Sequence, residues 1–179
     1  MYKLGLTILQ QEILRFFFIK SGMSFNARGL ARHLGVSQPA ISKALPLLEK
    51  KGFIKVEKDK ESKRLSIELN RDNPLVIGLK RAENLKMIYE SGLAEFLEGK
   101  FPSCIIVLFG SYSYGEDIVR SDIDIAVIGA KQKELDLENF DKILEKEVRV
   151  NTYGHFKDIN KNLKSNIFNG IVLIGRINL

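Results

Sequence analysis

The chain has 179 residues, of which 45% are hydrophobic and 28% are charged, and its formal net charge is +6. This length accommodates two small domains, and no apolar run approaches the roughly 20 residues of a membrane span, which excludes a membrane-spanning protein. No signal sequence is visible, and the single cysteine, Cys104, has no partner for a disulfide or a zinc site. We therefore expect a cytoplasmic protein without a membrane partner.

The positive charge lies entirely in the front part of the chain. Residues 1–70 contain 13 Lys and Arg against 6 Asp and Glu, a net of +7, whereas residues 71–179 contain 15 against 16, a net of −1. Neutralisation of phosphate with release of counterions supplies most of the non-specific affinity of proteins for nucleic acids. A charge excess confined to one domain therefore indicates a polyanionic partner for that domain.

Helical spacing and capping residues predict a helix-turn-helix in this basic segment. Apolar residues recur at helical spacing over 6–17, and a stop signal follows at 20–22. Asn26 is suited to cap a short second helix, and Gly35 lies in the turn that follows. Ser37 is suited to cap the third helix, because its hydroxyl can accept a backbone N–H of the first turn. Pro39 falls in that first turn, where a missing N–H costs little.

The third helix has the pattern of a recognition helix. It would expose Gln38, Ser42 and Lys43 near its N-terminal end while its apolar residues face inward, which is how such a helix enters the major groove. Pro46 departs from this pattern. It predicts that the helix is kinked or shortened near its C-terminal end, because the lost i−4 hydrogen bond costs ~3 kcal/mol.

A basic β-hairpin is predicted after the third helix. Residues 53–58 and 63–69 alternate between apolar and polar, with a polar turn between them. The stretch from 6 to 69 resembles the winged helix-turn-helix domain of MarR-like transcription factors, which implies double-stranded DNA as the partner. The alternative to DNA binding is that this winged domain is a protein-interaction module. The predicted DNA-binding residues are Ser37, Gln38, Ser42, Lys43, Lys58, Lys60, Lys63 and Arg64.

A linking helix is predicted between the two halves of the chain. Apolar residues recur at helical spacing from Pro74 to about Leu97, with an interruption at Ser91 and Gly92. In MarR-like proteins such a helix often forms a dimer interface, so the resemblance implies a homodimer. In the alternative, the helix packs on the sheet of the second domain. The predicted domains are residues 1–72, 73–101 and 102–179.

The second half of the chain places two carboxylates just beyond a turn of small residues. The apolar runs 104–109 and 122–128 predict two buried strands, with Gly110 and Ser111 after the first and Asp122 and Asp124 at the start of the second. Side chains two apart on a strand share a face about 6.5 Å apart. Two carboxylates so placed suit Mg²⁺ and a triphosphate, and a glycine lets a phosphate approach the backbone.

The Gly-Ser turn, the Asp-x-Asp pair and a helix-to-strand ending at 167–175 together resemble the minimal nucleotidyltransferases of the DNA polymerase beta-like superfamily. The resemblance covers about 102–175 and implies a small mixed sheet, so that the whole chain is α+β. It also implies Mg²⁺ held by Asp122 and Asp124, and a nucleoside triphosphate. The residues that this predicts around the nucleotide are Gly110, Ser111, Tyr114, Ser121 and Arg149.

Two positions depart from the pattern of that superfamily. A third carboxylate is expected on a neighbouring strand, but alignment of the apolar alternation over 147–153 places Arg149 there, and a guanidinium cannot ligate a metal ion. Glu147 is our candidate for the third carboxylate and would reach that position if the register slipped by two. Arg149 is then either a phosphate contact or a surface residue of an edge strand. Tyr114 stands where Arg or Lys is common.

Three hypotheses follow from the sequence. In the first, the protein is a DNA-binding transcriptional regulator whose nucleotidyltransferase-fold domain binds a Mg²⁺-nucleotide. In the second, it is an active transferase that moves a nucleoside monophosphate onto a protein or small-molecule hydroxyl, with Asp122, Asp124 and Glu147 as catalytic residues. The third comes from the resemblance alone: small minimal nucleotidyltransferases also occur as antitoxins that modify a partner toxin.

Overall fold

The structure is a computed structural model that describes residues 5–58 and 65–177. The chain divides into two compact units, residues 1–80 and 81–179. The first is mainly helical with a two-stranded hairpin, and the second contains a mixed four-stranded sheet, which confirms the α+β class. In the described part of the chain, no helix combines the length and apolar character needed to cross a membrane.

The first unit begins with three helices, and the second and third start directly after their predicted capping residues. The three helices are α1 (Ile8–Ile19), α2 (Ala27–His33) and α3 (Gln38–Lys50). The Asn26 side chain accepts a hydrogen bond from the backbone N–H of Gly29 at 2.7 Å, and the Ser37 hydroxyl accepts one from Ala40 at 3.3 Å. Each cap satisfies a backbone donor that the first turn of a helix leaves unpaired, so the sequence specifies these boundaries locally.

Pro46 was expected to kink or shorten α3; the shortening is wrong, because the helix does not end there, and the kink stays a prediction. The helix continues to Lys50 with Pro46 exposed on its outer side. On its inner side Leu45 and Leu48 are buried, with 4% and 0% of their surface exposed. Burial of two leucines contributes several kcal/mol, at roughly 1.5–3 kcal/mol each, which outweighs the loss of one backbone hydrogen bond.

The hairpin completes the core of the first unit. Strand β1 (Ile54–Lys58) pairs antiparallel with β2 (Leu65–Leu69), with Ile54 opposite Leu69. Ile67 also pairs with Phe25, which ties the hairpin to the segment before α2. The alternation predicted for these strands is confirmed, since Ile67 and Leu69 point into the core. Lys60, Lys63 and Arg64, predicted to contact DNA, lie outside the described residues.

Two helices occupy the predicted linking segment. α4 (Pro74–Glu90) is capped by Asn73, whose side chain accepts the backbone N–H of Leu75 at 3.0 Å, and α5 spans Leu93–Lys100. Gly92 separates them with a φ of 76°, in the left-handed region that favours glycine. The division between the two units falls within α4. The domain boundaries given in the sequence analysis remain a prediction.

The sheet of the second unit has the strand order β5-β4-β3-β6. β3 (Ile105–Phe109) is antiparallel to β4 (Ile123–Ile128) and to β6 (Ile171–Ile174), whereas β4 is parallel to β5 (Val148–Tyr153). The remaining helices are α6 (Gly110–Tyr114), α7 (Glu138–Leu144), the 3-10 helix Phe156–Asp158, and α8 (Lys161–Phe168). The predicted helix-to-strand ending is therefore confirmed as α8 and β6.

One face of this sheet is apolar along most of its length. Val107, Phe109, Ala126 and Ile128 form a cluster with Ile167 of α8. Asp124 lies on the same face as Ala126, because residues two apart on a strand point the same way. Since β3 and β4 are antiparallel, the end of β3 and the start of β4 meet at one edge of the sheet. This edge carries the Gly-Ser turn and the two aspartates.

We expect Pro46→Ala to stabilise the first unit by about 2 kcal/mol, which is the ~3 kcal/mol cost of an interior proline less the ~1 kcal/mol by which proline restricts the unfolded chain. Chemical denaturation followed by circular dichroism would measure the change. Pro39→Ala is the matched control: Pro39 is equally exposed, but it lies in the first turn of α3. If Pro39→Ala stabilised the protein as much as Pro46→Ala, the assigned cost of Pro46 would be wrong.

Candidate nucleic-acid interface and nucleotide site

The exposed face of α3 carries the side chains predicted to contact DNA. Ile41, Ala44, Leu45 and Leu48 are buried on one side of the helix. The residues of the predicted set that lie exposed on or beside α3 are Ser37, Gln38, Ser42 and Lys43. Amphipathic burial therefore fixes which side of α3 faces outward, and this side is polar and basic near the N-terminal end.

The two serines of this set form hydrogen bonds with the backbone of α3. The Ser37 hydroxyl accepts the N–H of Ala40 as the cap, and the Ser42 hydroxyl donates to the Gln38 carbonyl at 3.1 Å. The Ser37 hydroxyl keeps its O–H donor and one acceptor site, and the Ser42 hydroxyl keeps its two acceptor sites. Gln38 and Lys43 have longer side chains than the two serines and are also exposed. Lys58 is exposed at the end of β1.

Two exposed arginines of α2 were not among the residues predicted to contact DNA. Arg28 and Arg32 are exposed on α2, four residues apart and so on one side of that helix. Two arginines four residues apart in the short helix before the turn could have been recognised in the sequence as a basic side of that helix. Arg28 and Arg32 add basic charge to the helix-turn-helix and are suited to phosphate rather than to base edges.

Gly110 and Asp124 are in close contact in the second unit. Phe109, the last residue of β3, pairs with Asp124 of β4, which places the following Gly110 against the carboxylate. Gly110 has a φ of 73°, and a Cβ added to it would lie 2.6 Å from Asp124 Oδ2. On the side of Gly110 where a Cβ would point, the space is therefore taken by an aspartate oxygen, and the approach of a phosphate to the Gly110 backbone stays a prediction.

Arg149 is the residue opposite Asp124. The parallel register of β4 and β5 pairs Asp124 with Arg149 and Ile123 with Val148. Nη1 of Arg149 lies 2.6 Å from Asp122 Oδ2. Nε and Nη2 of the same guanidinium donate to the two carboxylate oxygens of Glu147 at 3.1 and 3.0 Å. Arg149 therefore joins the two carboxylates that flank it, and together with Asp124 they form what we call the carboxylate centre.

The charges of the carboxylate centre shift the ionisation of its members. Burial, with the nearby charge of Asp122 as a second cause, raises the pKa of Asp124, and Arg149 partly opposes this. The hydrogen bond from Arg149, followed by its charge, lowers the pKa of Glu147. Burial thus disfavours the charged form of Asp124, whereas Arg149 favours the charged form of Glu147.

The other residues predicted to surround a nucleotide lie in α6 and in the loop after it. Ser111 and Tyr114 are half-buried, as is Ser121. The Ser121 hydroxyl accepts the backbone N–H of Ile118 at 3.0 Å and so closes a turn before β4. Ser113, which was not predicted, is buried and donates to the Gly110 carbonyl at 2.8 Å. These contacts fix the backbone on both sides of the carboxylate centre.

A buried polar cluster holds the loop that leads into β4. Asn84 donates to Asp117 Oδ1 at 2.7 Å and to the Tyr112 carbonyl at 2.9 Å. The Lys146 ammonium lies 3.2 Å from Asp117 Oδ2 and donates to the Ile118 carbonyl at 2.5 Å. Asp117 and Lys146 are almost completely buried. Sequence reasoning missed this cluster, because no local pattern indicates that residues about 30 positions apart will pair.

The carboxylate centre does not fit a divalent metal ion as its side chains are arranged. Mg²⁺ requires near-octahedral oxygen ligands. Within residues 5–58 and 65–177, no three His, Cys, Asp or Glu residues are grouped so that they could hold a metal. Asp122 is bound to Arg149, and an oxygen of Asp124 is turned to Gly110. The catalytic role of Glu147 stays a prediction. In the structure its carboxylate is bound to the guanidinium of Arg149.

We expect Gly110→Ala to lower the free energy of unfolding of the second unit by roughly 2–4 kcal/mol, since strain at positive φ adds to a contact that must move Asp124. Denaturation curves would measure the loss. Gly92→Ala is the matched control, because Gly92 also has positive φ but has open space around its Cα, so only the backbone strain remains. If Gly110→Ala cost the same in an Asp124→Gly background as in the wild type, the carboxylate would not be the obstacle.

We expect Arg149→Gln to raise the pKa of both Glu147 and Asp124, because the guanidinium lowers each of them. Carboxyl chemical shifts followed by NMR over a pH titration would report both groups. The stabilising contact to Glu147 is present at neutral pH and is lost as the pH falls through its lowered pKa. Asp72, whose pKa is lowered by Lys55 in the first unit, is the control and should titrate unchanged. An unmoved Glu147 would contradict the assignment.

Two known protein families match separate segments of the chain. Residues 7–66 match the model of the MarR family, and residues 92–177 match the model of Polymerase beta, Nucleotidyltransferase. No curated protein matches the chain.

Several solved structures resemble part of the chain. Adhesin competence repressor (AdcR) from Streptococcus pyogenes is 22% identical over 55% of this chain and 70% of its own, with a TM-score of 0.39. MepR from S. aureus, solved as a complex with DNA, is 19% identical over 53% and 81%, also with a TM-score of 0.39. A variant of Lactococcus lactis ZitR is 19% identical over 56% and 66%, with a TM-score of 0.42.

At TM-scores near 0.4 these structural overlaps support no conclusion by themselves, so the assignment depends on the two family models and on the elements described above. The chain thus joins a segment that matches the MarR family to a segment that matches the polymerase beta nucleotidyltransferase model.

Proposed function

We propose that the protein is a transcriptional regulator that binds double-stranded DNA through α3 and the β1–β2 hairpin. The observation that carries this proposal is the division of α3 into a buried apolar side and an exposed side that presents Gln38, Ser42 and Lys43. A helix held in this way, after a capped turn, is able to enter the major groove with its N-terminal residues at the base edges.

The chemistry of these side chains suits DNA. The amide of Gln38 is able to pair with adenine, and Lys43 with guanine or with phosphate. Arg28, Arg32 and Lys58 are exposed and would contact the backbone on either side of α3. Their charge belongs to the excess of +7 in residues 1–70, which supports a polyanionic partner over a protein partner.

The homodimer is part of the same proposal. Two chains would read two half-sites, as dimeric helix-turn-helix proteins do. In the first unit Ile8 and Leu75 are large apolar side chains with 78% and 51% of their surface exposed. A second chain that covered them would remove this apolar surface from water.

For the second unit we propose nucleotide binding without transfer. The match over 92–177 and the Gly110–Ser111 turn support a nucleotide ligand. Tyr114 and Ser121 follow this turn in the sequence and would lie near the ligand. Arg149 has five N–H donors, and three of them serve Asp122 and Glu147, so two remain for a phosphate oxygen. Neutralisation of Asp124, whose pKa burial raises, would lessen the repulsion that a phosphate meets.

Transfer is disfavoured because the residue opposite Asp124 is a cation. An active transferase would need Arg149 to leave Asp122 and Glu147 before these carboxylates could serve the reaction. Incorporation of labelled nucleotide into protein distinguishes the two roles. Incorporation that disappears in Asp122→Asn and in Glu147→Gln would establish the transferase, whereas nucleotide binding without incorporation supports the proposal.

We expect duplex DNA selected from a random pool to bind the full chain with an affinity that falls as salt rises, because phosphate contacts release counterions. Lys43→Ala should weaken binding roughly 5- to 100-fold if Lys43 reads a base, or lower the salt slope by about 1 if it contacts phosphate. Fluorescence anisotropy of a labelled duplex at several salt concentrations would measure both.

Lys50→Ala is the matched control for this experiment. Lys50 is an equally exposed lysine of α3, but it lies in the last turn, away from the N-terminal residues that would face the groove. Its removal should leave affinity and salt slope nearly unchanged. Equal effects of the two substitutions, or an affinity that ignores salt, would contradict the proposed orientation of α3.

A further inference from the structure

We propose that Arg149 is the resident cation of the carboxylate centre, and that its guanidinium takes the place of a divalent metal ion, so that the centre is complete without metal. The proposal concerns the second unit alone and does not depend on DNA binding by the first.

The position of Arg149 is fixed by the sheet rather than by its own side chain. β4 and β5 pair over six residues, from Ile123 with Val148 to Ile128 with Tyr153, and within this ladder Asp124 is opposite Arg149. Paired residues of neighbouring strands point to the same face of a sheet. The guanidinium therefore lies on the face that carries the Asp124 carboxylate, and a slip of one residue would turn it to the opposite face.

The contacts of Arg149 are those of a bridging cation. It holds both oxygens of Glu147 through Nε and Nη2 and reaches Asp122 Oδ2 through Nη1 at 2.6 Å. Bidentate contacts between a guanidinium and a carboxylate are short and directional, because both groups are planar and charged. A metal ion in such a cluster would likewise bind oxygens from two or more carboxylates, so Arg149 and a metal compete for the same atoms.

The remaining carboxylate offers little to a metal ion. Asp124 Oδ2 is close to the Cα of Gly110, at a place where a Cβ would lie 2.6 Å from it. One oxygen of Asp124 therefore lies against the backbone, and Asp122 is bound to Arg149. The positive charge of Arg149 would also repel a divalent ion from these carboxylates.

The competing interpretation is an incidental surface ion pair. About half of the Arg149 side chain is exposed, and exposed ion pairs contribute little to stability. Stability measurements therefore do not separate the two interpretations. Metal affinity does, because an incidental pair would break readily when Mn²⁺ is added, whereas a resident cation would exclude the ion.

Titration of the full chain with Mn²⁺ at neutral pH, with free Mn²⁺ followed by electron paramagnetic resonance, tests the proposal. We expect the wild type to bind no Mn²⁺ at this centre up to millimolar concentration. Arg149→Asp removes the cation and adds a third carboxylate on the same face, and it should bind Mn²⁺ at least tenfold more tightly. A second substitution, Asp122→Asn, should abolish that gain.

Arg149→Gln and Arg149→Lys are the matched variants. The glutamine removes the charge without adding a ligand and should give a smaller gain in Mn²⁺ affinity than the aspartate, whereas the lysine keeps the charge and should give none. The proposal is overturned if the wild type binds Mn²⁺ and loses it on Asp122→Asn, and equally if Arg149→Asp binds no more Mn²⁺ than the wild type. Circular dichroism of each variant confirms folding, and the wild-type titration decides the first point even if a variant fails to fold.

Discussion

The pairing of β4 with both of its neighbours is the constraint on which the second unit depends. Its antiparallel register with β3 brings Asp124 against Gly110, and its parallel register with β5 brings Asp124 opposite Arg149. A slip of one residue on either side would exchange the side chains that β4 presents to the two faces of the sheet, and so would separate Asp124 from these neighbours. The chemistry of the carboxylate centre is therefore a consequence of strand pairing. The same pairing that builds the sheet decides which charges meet at its edge.

A buried ion pair reinforces the entry to β4. Asp117 and Lys146 are out of contact with water, so each needs the other, and Asn84 satisfies a further oxygen of the aspartate. Removal of one partner would leave an uncompensated buried charge, which is costly in a way that loss of an exposed pair such as Lys142 with Glu138 is not. The loop between α6 and β4 is thereby held in one arrangement, and with it the position from which Asp122 projects.

The two units use positive charge in opposite ways. In the first, the excess cations lie on the surface, with Arg28, Arg32 and Lys43 exposed around the helix-turn-helix, and are suited to an external polyanion. In the second, cations and anions are nearly balanced in number, and Arg149 and Lys146 are bound to carboxylates of the same unit. A positive field directed outward favours long-range attraction of DNA, whereas a cation satisfied internally shapes a site without attracting a distant ligand. The contrast agrees with a regulator whose DNA contacts are confined to its first unit.

Local patterns in the sequence were sufficient for much of the fold, because caps, turns and alternation act over a few residues. Asn26 and Ser37 marked helix starts, the hairpin followed from alternation, and the apolar runs 104–109 and 122–128 located β3 and β4. Tertiary structure alone decided the rest. α3 continues through Pro46 because buried leucines outweigh a missing hydrogen bond, a balance that no local propensity contains. The sequence indicated that Arg149 replaces a carboxylate, but only the pairing of strands that are about 25 residues apart determined which carboxylates it would bind, because electrostatic contact depends on distance in space and not on distance along the chain.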